Sequence, residues 1–491
     1  MRRYMLLAVG FAVLIGTSLA ENVDIGDVVA FKQALAQDGF TVQEGRIGYL
    51  DLIKLCDLSV LPSAYGNNPT TKYLTYFVPA APGHKVPELF SRITLALGMP
   101  QDTSAFWDLG PDEAVVFVGR TPPECKYFSY DHYLLSKTYG NETRWLFSNL
   151  GDAVNNLVVN TVGTPNGSAG DPFNQTTVIV ATADRGIYQR IRDAALSAGY
   201  SADIFNTQVL PSSMLNMGLE DSSDMFIMLI RPALYKDEQA GDDYRNNIPA
   251  VLLRITPNGS AEPDRYDYPD LRVRGTGTTE FDLLDDLEEL RIAILNKYSG
   301  LNATELPTSI AVPAGSDAIQ RGIDALGPAS DCCYLWSANQ TVSSPTPPFP
   351  DTSQYYDFLR DPAITLGNDA NEFIIVYGVN HVATGKATYS NFALYGADIF
   401  NGVKAIHDDE FTGSAEEYLP DNPNAKYLYV YKFARNCSGD QYCYEVPYGV
   451  GAYGIELDQP LFIAWRSYLE EATKTGPSSS EIVYDRAIKF D

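Results

Sequence analysis

The stretch Ala114-Val-Val-Phe-Val-Gly-Arg-Thr-Pro-Pro-Glu-Cys-Lys-Tyr-Phe-Ser-Tyr-Asp-His-Tyr-Leu-Leu135 decides the fold class. Residues 114–118 are uniformly apolar and β-favouring, as a strand covered on both faces requires. Thr121-Pro-Pro-Glu124 is turn chemistry. Residues 126–135 then alternate in part, which suits a returning strand. A strand that turns back without an intervening helix points to antiparallel pairing.

The same grammar spreads outward in both directions. Strands are predicted at 177–181, 224–230, 250–255, 333–336, 373–377 and 427–431. Helices are predicted at 187–198, closed by Gly199, at 280–298, at 316–325 and at 460–473. The 280–298 helix has Thr279 as N-cap, acids early and Lys297 late, as its dipole prefers. Strands and helices mix without a βαβ rhythm. That predicts an α+β fold with mixed or mainly antiparallel sheets, packed helices and two or more α/β lobes. Two Gly-, Pro- and Ser-rich stretches, 161–173 and 341–352, read as linkers or long exposed loops. They divide the chain into 21–160, 174–340 and 353–491.

One internal likeness stands out. Val115-Val-Phe-Val-Gly119 precedes Lys126 and Tyr127-Phe-Ser129, and Ile374-Ile-Val-Tyr-Gly378 precedes Lys386 and Tyr389-Ser390. Two hydrophobic strands ending in glycine give much of this by chance, and the unequal gaps weigh against a duplication.

Residues 1–20 combine Arg2-Arg3, a short apolar run and a small-residue end, the pattern of a secretory signal peptide too short to span a bilayer. The expected product is secreted, or resident in the secretory lumen, with no membrane span once the signal is removed. Seven Asn-x-Ser/Thr sequons, at Asn141, Asn166, Asn174, Asn258, Asn302, Asn339 and Asn436, agree with a glycosylated product. The six cysteines suggest disulfides. Cys437 and Cys443 flank a turn-rich loop and form the favoured pair. Cys332 and Cys333 bridge either each other or separate partners such as Cys56 and Cys125.

The net charge of −27 disfavours nucleic acid and anionic membranes as partners, and suits a basic or cationic one. It is also what solubility in a salty medium asks for. No nucleophile elbow, zinc helix, EF-hand or phosphate loop is present. The glycine-rich turn 274–280 opens a helix, but Glu280, Asp282, Asp285 and Asp286 would repel an anion there. Acid-rich runs at 237–243 and 407–410 could offer calcium oxygens, but adjacent acids point apart, and no cofactor is identified.

Two sets of candidate site residues remain. His381, Lys386 and Tyr389 follow a strong β-run; they could transfer a proton, stabilise negative charge and donate a hydrogen bond. Asn380, beside His381, is a candidate ligand-binding residue. The competing reading is a hairpin whose His and Lys face solvent. Tyr127, Tyr130 and His132 form a Tyr-rich strand suited to carbohydrate or another flat ligand, with ordinary packing as its alternative. Two functions follow: a secreted acidic glycoprotein that binds, at a cell surface or in an extracellular matrix, or a secreted hydrolase using His381 with Lys386 or Tyr389 and a carboxylate from elsewhere.

Overall fold

The computed structural model describes residues 25–61, 63–259, 262–311, 315–337, 364–449 and 453–491. The signal-like segment 1–20, Asn339 and the proline-rich stretch 341–352 lie outside the described residues. The fold is α+β, with eight α-helices among the described residues and four large, mainly antiparallel sheets.

Sheet I runs β1 (Phe40–Glu44), β14 (Ala250–Pro257), β5 (Ala114–Arg120), β10 (Thr176–Thr182), β11 (Phe205–Val209). Sheet II runs β2 (Arg46–Tyr49), β3 (Leu74–Pro79), β12 (Met225–Ile230), β7 (Ser129–Tyr139), β8 (Glu142–Asn149), with β4 (Thr103–Ser104) on β3 and β9 (Val154–Asn155) on β7. A ribbon of β6 (Cys125–Tyr127) and β13 (Ala233–Tyr235) lies beside them.

The two sheets stack. Val115 and Phe117 of β5 meet Tyr76, Tyr130 and Met228 in the core between them, while Val116 and Val118 face a second core under α1 (Val28–Gln37) and α4 (Arg185–Ser197). Sheet II turns Tyr133, Ile227 and Leu229 outward to α2 (Leu52–Asp57) and α3 (Glu88–Ala96). Both faces of β5 are buried, which explains its unbroken apolar run. Residues 126–135 do return, but not as the partner of β5: its edges belong to β10 and β14. The chain leaves through Pro122-Pro123, which lack the N–H needed to continue a ladder, and enters sheet II.

Sheets III and IV repeat this plan. Sheet III runs β15 (Ala303–Leu306), β24 (Arg486–Phe490), β18 (Phe373–Val379), β21 (Leu428–Ala434), β22 (Cys443–Glu445). Sheet IV runs β16 (Ser309–Ile310), β17 (Cys332–Trp336), β23 (Leu461–Tyr468), β19 (Tyr389–Gly396), β20 (Asn401–His407). Strand for strand, the order and directions match those of sheets I and II, including the parallel pair at the end of each outer sheet. The matched strands include β5 with β18, which carry the first part of the internal likeness, and β7 with β19, which begin where it ends. The chain therefore contains one architecture twice.

α6 (Leu284–Lys297) covers sheet III as α1 covers sheet I. Its start differs from expectation: Phe281–Leu283 form a 3₁₀ turn, and Thr279 does not cap it. The helix expected at 316–325 is the shorter α7 (Gly315–Arg321). α5 (Glu238–Asn246) is capped by Asp237, and α8 (Asp408–Phe411) by a reciprocal His407–Glu410 box, so both acidic runs serve helix starts. The helix expected at 460–473 is instead strand β23. Ile463 and Trp465 face sheet III while Phe462 and Ala464 face the other way; burial on both sides overrides the helical spacing.

The outer face of sheet IV meets the first sheet pair. Tyr395 donates to Asn67 O at 2.9 Å, and Asn67 Oδ1 accepts Gly402 N–H at 2.9 Å. A Cβ at Gly402 would lie 2.7 Å from Asn67 O, so only glycine permits this approach. The stretch 161–173 is a pinned loop within the first pair, held by Thr161 and Thr164 hydroxyls 2.8 Å apart. Cys437–Cys443 is a disulfide; Cys56, Cys125, Cys332 and Cys333 are free, so the expected further bridges are not formed. Cys332 and Cys333 are successive residues of a strand and point to opposite faces. The sequons among the described residues are all exposed.

Candidate functional site

His381 follows the end of β18 and lies neither on an exposed hairpin nor in a cleft. Its Nδ1 is 2.9 Å from both carboxylate oxygens of Glu280, and its Nε2 is 3.3 Å from Asp485 Oδ2. All three side chains are buried. Glu280 also accepts Thr384 Oγ1–H at 2.6 Å and Val483 N–H at 2.9 Å, and Asp485 accepts the Tyr429 hydroxyl at 2.8 Å. Burial pushes the His381 pKa down, but the carboxylates of Glu280 and Asp485 overcome it and raise it to about 10. Burial also opposes ionisation of Glu280, yet His381 holds its pKa below the usual value. An imidazolium donating from both nitrogens has no lone pair left for a proton. The cluster stores charge.

Lys386 is equally enclosed. Its Nζ lies 2.8 Å from Glu470 Oε1, 2.6 Å from Glu481 Oε2 and 3.1 Å from Thr276 Oγ1. Burial lowers its pKa, but Glu470 and Glu481 more than reverse this. Glu481, held down to about 2 by Lys386 and by two N–H donors, fills the turn at 274–280: Thr276 N–H and Gly277 N–H point at its carboxylate from 2.9 and 2.7 Å. The anion in that turn is the chain's own.

Tyr389 and Tyr127, one from each candidate set, flank Tyr468, with ring centroids 5.1 and 4.6 Å from it. Tyr389 Oη lies 2.6 Å from Thr70 Oγ1; the Tyr127 hydroxyl lies 2.7 Å from Ser129 Oγ and 3.1 Å from Asp331 Oδ2. Tyr130 packs on Phe117 between sheets I and II, at 5.3 Å between centroids. His132 donates from Nε2 to Val209 O at 3.0 Å, and burial lowers its pKa to about 4. Asn380 Oδ1 accepts Val382 N–H and Ala383 N–H, both at 3.2 Å, fixing the turn that follows β18. The structure thus seals the two candidate sets into the interior. His381, Lys386 and Tyr389 do not line the four cavities formed around Arg466, Tyr200, Trp145 and Arg272.

A cavity of about 360 Å³ opens instead at the edge of sheet II, between the end of β3, the start of α3 and the loop before β12. Phe90, Phe106, Trp107 and Trp145 form apolar walls, and Asp108, Glu220 and Asp221 supply carboxylates. Glu220 and Asp221 are exposed at the mouth, whereas Trp107 and Trp145 are buried. Phe90 and Trp145 both meet Phe106 edge-on, which fixes the wall. Burial raises the Asp108 pKa, partly offset by Arg254, whose guanidinium is itself paired with Glu113. Sequence reasoning missed this set because its aromatic and acidic members come from four separate segments. The adjacent Phe106-Trp107-Asp108 was the available signal.

No family model matches the chain, and no curated protein does. A solved structure, the VPA0106 protein from Vibrio parahaemolyticus, is similar along 94% of this chain and 96% of its own, at 10% identity and a TM-score of 0.37.

Proposed function

We propose that the protein is a secreted glycoprotein that binds saccharide in the cavity at the edge of sheet II. The observation that carries the reading is the pairing there of aromatic walls with carboxylates. Sugar rings stack their C–H faces on aromatic rings, and their hydroxyls donate to carboxylates. The volume falls at the low end of ordinary ligand sites, which run from about 300 to 1,000 Å³. The signal-like N-terminus and the exposed sequons support the secretory part of the reading, as does the disulfide. A hydrolase using His381 has less support, since its ring would first have to leave both carboxylates.

The test is titration of the mature glycoprotein with neutral oligosaccharides, followed by tryptophan fluorescence. A binder should be found that perturbs Trp107 or Trp145, and Glu220→Gln/Asp221→Asn should weaken it about tenfold, the loss of ~1.4 kcal/mol of charge-assisted bonding. Absence of any saccharide-dependent change across such a panel would sink the reading. So would binding that ignores both this variant and Phe90→Ala.

A further inference from the structure

A second cavity, of about 60 Å³, lies where the outer faces of sheets II and IV meet. Two arginines line it, Arg231 directly after β12 and Arg466 within β23. These are the central strands of sheets II and IV and occupy the same place in the repeated plan. Both side chains are nine-tenths or more buried, at 3% and 6% exposure.

A guanidinium carries five N–H donors. Arg466 uses one toward Tyr395 Oη and one toward Gly66 O at 2.7 Å. Arg231 uses one toward Tyr133 Oη at 2.9 Å and one toward Tyr334 Oη at 3.3 Å. The Nε of each has no partner among the described residues. Asp131 Oδ2 is 3.9 Å from Arg231 Nη1, a buried ion pair without a hydrogen bond. Among the described residues no carboxylate forms an ion pair with Arg466. An unpaired buried charge such as that of Arg466 costs several kcal/mol, so native proteins pair such groups. The walls beside the arginines, Tyr73, Tyr334 and Trp336, add no negative charge at neutral pH.

From this geometry we infer that the cavity binds a small oxyanion, held between the Arg231 and Arg466 guanidiniums. The space suits one: roughly 10–15 Å³ of such volume houses one water. The cavity therefore has room for roughly four, comparable to phosphate, sulfate or a short carboxylate. The anion would supply acceptors to the unused N–H groups of both sheet pairs and so fasten them together. This site is separate from the saccharide cavity and stands or falls independently of it.

The experiment uses the mature glycoprotein. Phosphate, sulfate and acetate are titrated calorimetrically against chloride at matched ionic strength. A selenate-soaked crystal then locates the anion by its anomalous signal. The expected results are a dissociation constant below about 1 mM for at least one oxyanion, and a selenium peak between Arg231 and Arg466. Arg466→Lys keeps the charge but loses the fork, and should weaken binding at least about tenfold; Arg466→Met should abolish it. If Arg466→Met does not fold, the Lys variant and the selenate peak decide. No oxyanion-specific heat, a selenium peak elsewhere, or binding unchanged in the Lys variant would each overturn the assignment.

Discussion

Raising the pH from 7 to 8.5 should destabilise the fold through His381 alone by about 2 kcal/mol. The folded pKa, about 10, lies above the ordinary value of 6.5. The folded state therefore keeps a proton that the unfolded chain has released. Stability from this group is complete below pH 6.5 and is lost as the pH climbs through 10. Within that window one proton costs about 1.4 kcal/mol per pH unit. The variant that isolates it is His381→Gln/Glu280→Gln/Asp485→Asn, which empties the cluster of charge at nearly constant volume. His381→Gln alone would strand two buried carboxylates, one of which would take up a proton and restore the slope. The free thiols also begin to titrate in the unfolded chain near pH 8.5, but they are common to both proteins and cancel. Urea unfolding at pH 7, 7.75 and 8.5 should show the wild type losing about 2 kcal/mol more than the triple variant across the range. Should the variant not fold, the wild-type imidazole NMR titration carries the test. Parallel stability curves, or a His381 resonance that titrates near pH 6.5, would refute the reasoning.

His132 should act in the opposite sense: its folded pKa of about 4 means stability is lost as pH falls from 6.5. Asp331, raised to about 7 by burial and by Asp131, opposes that slope, so the effect must be read as wild type minus His132→Gln. Lys386→Ala should destabilise by about 3–5 kcal/mol in thermal or urea unfolding, because it leaves buried Glu470 without its cation. Phe392→Ala, which removes a ring stacked on Tyr429 at 5.3 Å between sheets III and IV, should cost about 3–5 kcal/mol by the same measurement. Cys125, Cys332 and Cys333 should resist a thiol reagent in the native protein and react after unfolding, since each is buried with its thiol pKa raised by burial.

The α+β class was legible because it rests on local signals: turn chemistry at Pro122-Pro123, apolar runs such as 114–118, and helix stops such as Gly199. Pairing was not. Whether residues 126–135 return to the same sheet or cross to another depends on which strands already hold the edges of β5, and β10 and β14 pair with it from 56 and more residues away. The segment 460–473 misleads for a related reason. A central strand buried on both faces loses the polar alternation that marks a strand, and its sequence then resembles a helix.

The candidate residues show a similar division between chemistry and context. His381, Lys386 and Tyr389 were singled out because their side chains ionise or donate, which is a property of residue type. Their partners Glu280, Asp485, Glu470 and Glu481 lie far away in sequence, and only those partners turn a possible base into a sealed ion cluster. The arginines were more readable than they looked. Met225-Phe-Ile-Met-Leu-Ile-Arg231 and Leu461-Phe-Ile-Ala-Trp-Arg466 are both apolar runs ending in arginine, and a lone charge after a buried apolar run demands a partner. Taken with the likeness of 115–119 to 374–378, they give two pairs of matching segments in the same chain order, and both pairs fall on equivalent strands. Chance supplies one hydrophobic strand ending in glycine easily; it does not also supply the second pair in register with the repeated topology. The two arginines face one cavity because they stand at equivalent strands of the repeated topology, and the contact between sheets II and IV brings those strands together.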